Sequence, residues 1–413
     1  MADRYIPRQL GQTVLERVGQ FPVVAVTGPR QSGKTTLVRR VLPSWRYVSL
    51  EDPDRRSAAV HDPRAFLGAL GTPAIIDEFQ RAPELVSYLQ TLVDEVGGAG
   101  LFVLTGSHSH RLHGQLAQSL AGRVGLLNLY PFSQHEMVEE PTLTGRSEAV
   151  PAKESPHSAQ TPTGRQGVWE RLFAGMFPRV VAGGVPPGVW YPSYIATCLE
   201  KDVREILAVR DLTQFQTFLR LVAHRTGQLV NLSSLASDAG ISVPTARQWL
   251  SALEAGHLLV RVAPWFSNAS KRLVKSPKLY LADTGLLCNL LGIYSSEELS
   301  RHALRGAVFE NWVLLEALKA GLHAGQVPRI HFWRDRDGNE VDFLWESPWG
   351  QYALEAKSTA TADSNVVRGF QHLRRHFDLR HKPCLCYAGD ASYPIGDVLV
   401  LPWNEISGHL AGP

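Results

Sequence analysis

Four cysteines in 413 residues are too few to frame a disulfide scaffold, so the thiols are expected to be reduced. Cys384 and Cys386 fall on one face of a strand without a second ligand pair at zinc-site spacing, and they read as small buried residues. Long apolar runs are missing too. No uninterrupted stretch approaches the roughly 20 residues that span a bilayer, which leaves no membrane segment to propose. The first residues lack a basic-then-apolar secretory pattern, so a cytoplasmic location is the expectation. Charge of one sign is scarce as well. A formal net charge of +3 says nothing about partners globally, and a nucleic-acid reading has to rest on local patches. What is present, 44% apolar and 20% charged residues, is ordinary for a globular chain of two or three cores.

The most informative segment runs Gly28, Pro29, Arg30, Gln31, Ser32, Gly33, Lys34, Thr35, Thr36, directly after the apolar run Val23 to Val26. It fits the phosphate-binding pattern G-x-x-x-x-G-K-[ST]. Glycines allow a tight loop whose backbone N–H groups face a polyphosphate, and the helix opening near Gly33 adds its positive dipole end. Lys34 is expected at the β- and γ-phosphates and the Thr35 hydroxyl on Mg²⁺, with ATP or ADP as the ligand. Forty-three residues after Lys34, the run Ala74, Ile75, Ile76 ends in Asp77 and Glu78. That is a buried strand delivering one carboxylate to the metal and a second to the attacking water. Leu101 to Thr105 forms a third apolar run, and Ser107 just beyond it is placed to sense the γ-phosphate or to cap a helix.

Strands expected at 22–27, 46–50, 73–77 and 101–105, with helices at 34–42 and 83–96 between them, predict a parallel α/β sheet over residues 1–138. Arg123, before the apolar run from Leu126, is either a donor to the γ-phosphate of its own or a neighbouring subunit in a homo-oligomer, or a plain surface arginine. Residues 139–168 lose apolar periodicity and fill with Pro, Ser, Thr and Gly, as a linker or insertion does. Helical periods return over 169–226 as a lid beside the nucleotide. Residues 227–283 then read as a winged helix-turn-helix: Ser242 caps a helix, Pro244 fits its first turn, and Ala246, Trp249, Leu250 and Leu253 make an apolar stripe. Thr245, Arg247, Gln248 and Ser251 are left outward, where DNA-reading residues sit, and Arg261, Lys271, Arg272, Lys275 and Lys278 follow without an acid, as phosphate contacts require; a winged helix that mediates only protein contacts is the alternative.

The last unit, 300–413, opens with a helix from Gly306 and continues with strands at 329–334, 340–346, 351–357, 384–388 and 397–401 around a helix at 364–378. Glu310 shares a helical stripe with Leu314, Ala317 and Leu318, an apolar setting in which a carboxylate needs a partner. Asp342, Glu355 and Lys357 lie on successive strands. Three carboxylates and a lysine converging this way suit metal-assisted phosphodiester hydrolysis, with Asp342 and Glu355 as oxygen ligands for Mg²⁺.

The whole chain resembles a prokaryotic family of AAA-type P-loop ATPases followed by a C-terminal domain of unknown function with a winged helix and a restriction-endonuclease-like fold. Beyond the phosphate loop and the Asp77–Glu78 strand, the resemblance rests on Leu104 to Ser107, Leu120 to Arg123, Lys271 to Leu286 and Gly338 to Phe343. It implies ATP with Mg²⁺ as cofactors, DNA as a partner, and Glu310, Asp342, Glu355 and Lys357 as the positions matching a PD-(D/E)xK nuclease set. No clear lid arginine that answers the γ-phosphate stands out, Arg179 being a candidate and no more.

Overall fold

The computed structural model describes residues 5–107, 119–138, 165–199, 211–265, 276–335, 337–347, 350–362, 366–375, 377, 379 and 381–411. Most of the insertion expected at 139–168, together with Lys271, Arg272 and Lys275, lies outside these residues.

The amino-terminal part is a five-stranded parallel sheet in the order β2-β3-β4-β1-β5. Its strands are Val23–Thr27 (β1), Arg46–Ser49 (β2), Ala74–Asp77 (β3), Phe102–Gly106 (β4) and Val124–Asn128 (β5). Helices Leu10–Val18 (α1), Lys34–Val41 (α2), Pro53–His61 (α3), Pro63–Leu70 (α4) and Leu85–Val96 (α5) cover it, and Gln134–Val138 (α6) follows β5. Val23, Ala25, Ile76 and Leu104 fill one core while Val24, Val26, Ile75 and Val103 fill another. Burial on both faces is why these strands read as continuous apolar runs without alternation. Short helices start where an acid and a proline stand together: Asp52 accepts from the N–H groups of Asp54 and Arg55 ahead of α3, and Asp62 from that of Ala65 ahead of α4.

The rest of the chain carries helices Arg165–Ala174 (α7), Pro178–Val181 (α8), Pro187–Tyr194 (α9), Leu212–His224 (α10), Leu232–Asp238 (α11) and Val243–Ala255 (α12). Strands Leu259–Pro264 (β6) and Lys278–Leu281 (β7) form an antiparallel pair. Helices Thr284–Leu290 (α13), Ser296–Arg301 (α14) and Arg305–His323 (α15) lead to strands Arg329–Arg334 (β8), Glu340–Ser347 (β9) and Gly350–Lys357 (β10). Helix Val366–Arg374 (α16), strands Cys384–Tyr387 (β11), Tyr393–Ile395 (β12) and Val398–Pro402 (β13), and helix Ile406–Leu410 (α17) complete it. The strand at 393–395 is not foreseen by periodicity, being three residues long.

The boundaries expected at 226, 283 and 300 do not separate cores. β6 pairs with β8 through Ala263 and His331, which joins the β6–β7 hairpin to one eight-stranded mixed sheet, ordered β12-β13-β11-β10-β9-β8-β6-β7. One large apolar core runs from Val168 to Leu410, with Phe218, Trp249, Tyr280, Trp312 and Phe343 all inside it, and smaller clusters around Val341 with Phe370 and around Leu315 with Leu322 lie beside it. The physical reason is α15, which is buried along almost its whole length and so needs neighbours on every side. Among the described residues no helix is long and apolar enough to cross a membrane.

Candidate nucleotide site and carboxylate cluster

The phosphate loop connects β1 to α2 with backbone that only glycine tolerates at its start. Gly28 has φ 145°, and a Cβ there would lie 2.1 Å from the Leu129 carbonyl oxygen. Gly33, with φ 96°, precedes α2 and leaves that helix's first N–H groups without a side-chain cap. Lys34 is buried, and its Nζ donates to the carbonyls of Gly28 at 3.0 Å and Pro29 at 2.7 Å. Arg30, Gln31, Thr36 and Arg179 line the cavity of about 700 Å³ above the loop, so α8 borders this cavity.

Asp77 leaves the carboxyl end of β3 and collects three hydroxyls. Thr35 donates to its Oδ1 at 2.9 Å, Thr105 of β4 donates to the same oxygen, and Tyr47 of β2 donates to Oδ2 at 2.8 Å. Burial, and then the Asp77 charge, push the Tyr47 phenol up to about 12, which keeps it a donor at neutral pH. These are hard oxygen ligands at the foot of a phosphate cradle, a donor set that suits Mg²⁺. Glu78 sits in the left-handed region at φ 53° and accepts from Gln80 Nε2 at 2.5 Å, and Gln80 also donates to Ser107 at 3.3 Å. Ser107 is thus placed beside the carboxylate expected to orient water.

Arg123 requires a correction. Its carbonyl accepts from Val23 N–H, so it stands at the amino end of β1 and β5, opposite to the phosphate loop. Its guanidinium instead grips Asp94 at 2.5 and 2.8 Å. A γ-phosphate role within its own subunit is excluded by that placement.

The residues that sequence reasoning missed are Tyr47, Thr105 as an Asp77 partner, and Arg8. Arg8 is buried and its Nη1 donates to the Ser32 carbonyl of the phosphate loop at 2.8 Å. Nothing around Arg8 in the sequence marks it, because its partners stand 24 to 128 residues away.

In the C-terminal sheet the four expected residues do converge. Lys357 Nζ donates to Glu355 Oε1 at 2.7 Å, the Asp342 N–H meets Glu355 Oε2 at 3.3 Å, and the Ala356 N–H meets Asp342 Oδ2 at 2.9 Å. Glu310 accepts from Tyr280 at 2.6 Å and from Lys278 at 3.2 Å, and Lys278 also meets Glu340 at 2.5 Å. Lys278 is therefore no phosphate-contacting surface lysine: it is buried, because β7 belongs to the C-terminal sheet and points it at these acids. Arg261, exposed, pairs with Glu254. Burial, then the neighbouring Asp342, raise Glu310 and Glu355 above the ordinary carboxylate range, and burial raises Asp342. Burial opposes the charge of Lys278, yet Glu310, Asp342 and Glu340 outweigh it and hold the ammonium above its usual range. Among the described residues no three His, Cys, Asp or Glu side chains are arranged to hold a metal ion. Asp342 and Glu355 offer two oxygen ligands, and water would have to complete a Mg²⁺ shell.

Three family models match the chain: an AAA domain over residues 20–138, a domain of unknown function (DUF8612) over 165–297, and a domain of unknown function (DUF4143) over 305–406. An uncharacterised protein of Mycobacterium tuberculosis is 32% identical over 388 residues, covering 93% of this chain and 81% of that protein. The chain belongs to that protein's family. It combines an ATPase-like AAA domain in front with a DUF4143 domain behind. An uncharacterised Haemophilus influenzae protein is 25% identical over 248 residues, covering 59% of this chain and 55% of that one. Among solved structures, the Walker-type ATPase of Pyrococcus abyssi aligns over 68% of this chain and 95% of its own at 16% identity, with a TM-score of 0.44.

Proposed function

We propose that this AAA domain binds ATP with Mg²⁺ at the phosphate loop and hydrolyses it, and that the C-terminal half is the part the nucleotide state governs. The observation carrying this reading is the Thr35–Asp77 pair at the foot of an open 700 Å³ cavity with Lys34 beside it. Bound Mg²⁺ would spread the charge of the phosphate oxygens. Lys34, which donates to the carbonyls of Gly28 and Pro29, can exchange these neutral acceptors for phosphate oxygens. Thr35 and Asp77 hold the metal, Glu78 orients water, and Gln80 with Ser107 holds Glu78 until that water is present. ATP turnover by wild type and Lys34→Ala tests this: loss in the variant is expected, and undiminished turnover removes the site from the account.

A second reading concerns DNA, and the specific observation that favours it is the convergence of Glu310, Asp342, Glu355 and Lys357. Arg247 and Gln248 on the outer face of α12 are exposed, as groove-reading residues need to be, with Thr245 and Ser251 half-buried beside them. DNA held there is a candidate substrate for metal-assisted cleavage at Asp342 and Glu355, with Lys357 stabilising developing charge. Incubating plasmid with Mg²⁺ or Mn²⁺, with and without ATP, for wild type and Asp342→Asn decides it. Cleavage lost in the variant supports the reading. Uncut plasmid under every condition leaves a nucleotide switch with a catalytically silent C-terminal domain, and gel shifts over a salt series then separate a DNA partner, whose affinity falls steeply with salt, from a protein partner, with no DNA binding at all.

A further inference from the structure

The AAA sheet and α15 meet across a buried junction of charged groups, which is an expensive way to join two parts of a chain when apolar residues would serve as well or better. At its centre is Arg8, just ahead of α1. Its Nε meets Glu136 Oε1 at 3.0 Å, its Nη1 the Ser32 carbonyl at 2.8 Å, and its Nη2 the Tyr130 carbonyl at 2.7 Å, while the guanidinium lies 4.6 Å from the Phe132 ring centre. Three donors of one planar fork therefore reach two separate segments, the phosphate loop and 130–136. The Ser32 carbonyl and the Gly33 N–H share one rigid peptide plane, so fixing the first fixes the direction of the second, an amide of the phosphate cradle.

The segment 130–136 that Arg8 grips is held from its other side by α15. Lys319 Nζ donates to the Phe132 carbonyl at 2.7 Å and pairs with Glu316 at 2.9 Å, and Glu316 Oε2 accepts the Gln134 N–H at 2.8 Å. His323 Nδ1 bonds the Gln9 side-chain oxygen at 2.9 Å, and its Nε2 lies 3.7 Å from Glu136. Glu310 stands on the same helix, thirteen residues and hence about 20 Å from His323.

We propose that Arg8 is a positioning residue of the phosphate loop and the joint through which nucleotide binding is transmitted to α15. A ligand on the loop pulls the Ser32–Gly33 peptide, Arg8 passes the displacement to 130–136, and Glu316, Lys319 and His323 receive it. Coupling of this kind is reciprocal, so seating of α15 must alter nucleotide affinity by the same factor. The inference rests on ATP and ADP being ligands of the phosphate loop.

The test uses the full chain, Mg²⁺ and ADP, with calorimetry for affinity and hydrogen exchange for α15. In wild type, ADP is expected to slow exchange in 33–41, 130–136 and 316–323. Arg8→Lys keeps a charge but cannot span three acceptors. It should weaken ADP roughly tenfold, the value of one charge-assisted hydrogen bond, and abolish the response at 316–323 while that at 33–41 persists. Glu136→Gln, closer in shape, should do the same to a smaller degree and carries the test if Arg8→Lys does not fold. ADP affinity equal to wild type in both variants, even with a lowered melting temperature, would show a merely structural junction and overturn the proposal. So would an unchanged response at 316–323. Absence of ADP binding by wild type is a different result, since it removes the nucleotide site itself and this inference with it.

Discussion

At the phosphate loop the buried ammonium of Lys34 meets two backbone carbonyls, whereas in the C-terminal sheet the buried ammonium of Lys278 meets the carboxylates of Glu310 and Glu340. Those two carbonyls are neutral dipoles, which satisfy hydrogen bonds without cancelling charge and are readily exchanged for the oxygens of an anion. Carboxylates cancel charge, and a pair buried this way is costly to open from either side. The first arrangement is suited to ligand exchange. The second resists it, since any cation entering the cluster would have to displace Lys278 or Lys357 from the carboxylates.

Breaking each side of this comparison has ranked consequences. The largest is expected at Glu78: Glu78→Gln should retain ATP but lower turnover on the order of a hundredfold, the contribution of a water-orienting base, measured as phosphate release at saturating ATP. Next, Lys278→Met removes the buried ammonium between Glu310 and Glu340 and should cost about 3 kcal/mol in urea unfolding, with ADP affinity unchanged. A third effect is acid lability at the junction between the two halves. Burial holds His323 down at about 4 in the folded chain, so between pH 6.5 and pH 4 the unfolded chain binds a proton that the native one refuses. Stability should fall through that window by on the order of 3 kcal/mol, and His323→Gln should flatten the fall. Burial opposes ionisation of Glu136, but Arg8 overcomes it and holds the carboxyl at about 2, so a further loss is expected from pH 4.5 downward. Thermal melts across pH 7 to 3 check both. The smallest effect is at Arg123: Arg123→Ala should leave ATP turnover at the wild-type rate. A marked loss would instead place this residue at the nucleotide of a second subunit.

How much of this was legible in the sequence depended on how far apart the partners stand. The phosphate loop is nine consecutive residues, and its strand-to-helix setting is visible in Val23 to Val26 ahead of it. Asp77 and Glu78 stand out at the end of a continuous apolar run, Glu310 as an acid in an apolar helical stripe, and Glu355 with Lys357 through strand periodicity, which puts alternate side chains on one face. Lys278 misled, since a run of basic residues without acids looks like solvent-facing charge, and only the pairing of β6 with β8 reveals that β7 is the edge strand of the eight-stranded sheet. Tyr47, Thr105 and Arg8 left no local pattern, because each acts on an oxygen supplied by another element. Arg123 failed for the opposite reason: proximity in sequence to β5 says nothing about which end of the sheet it occupies.

The central claim is that a triphosphate with Mg²⁺ occupies the loop between β1 and α2. Calorimetric titration of the full chain with ATP and Mg²⁺, beside Lys34→Ala, tests it most directly. One site per chain in wild type and a severe loss of affinity in the variant is the predicted result. Identical binding by both, or no binding by well-folded wild type at millimolar nucleotide, would contradict it.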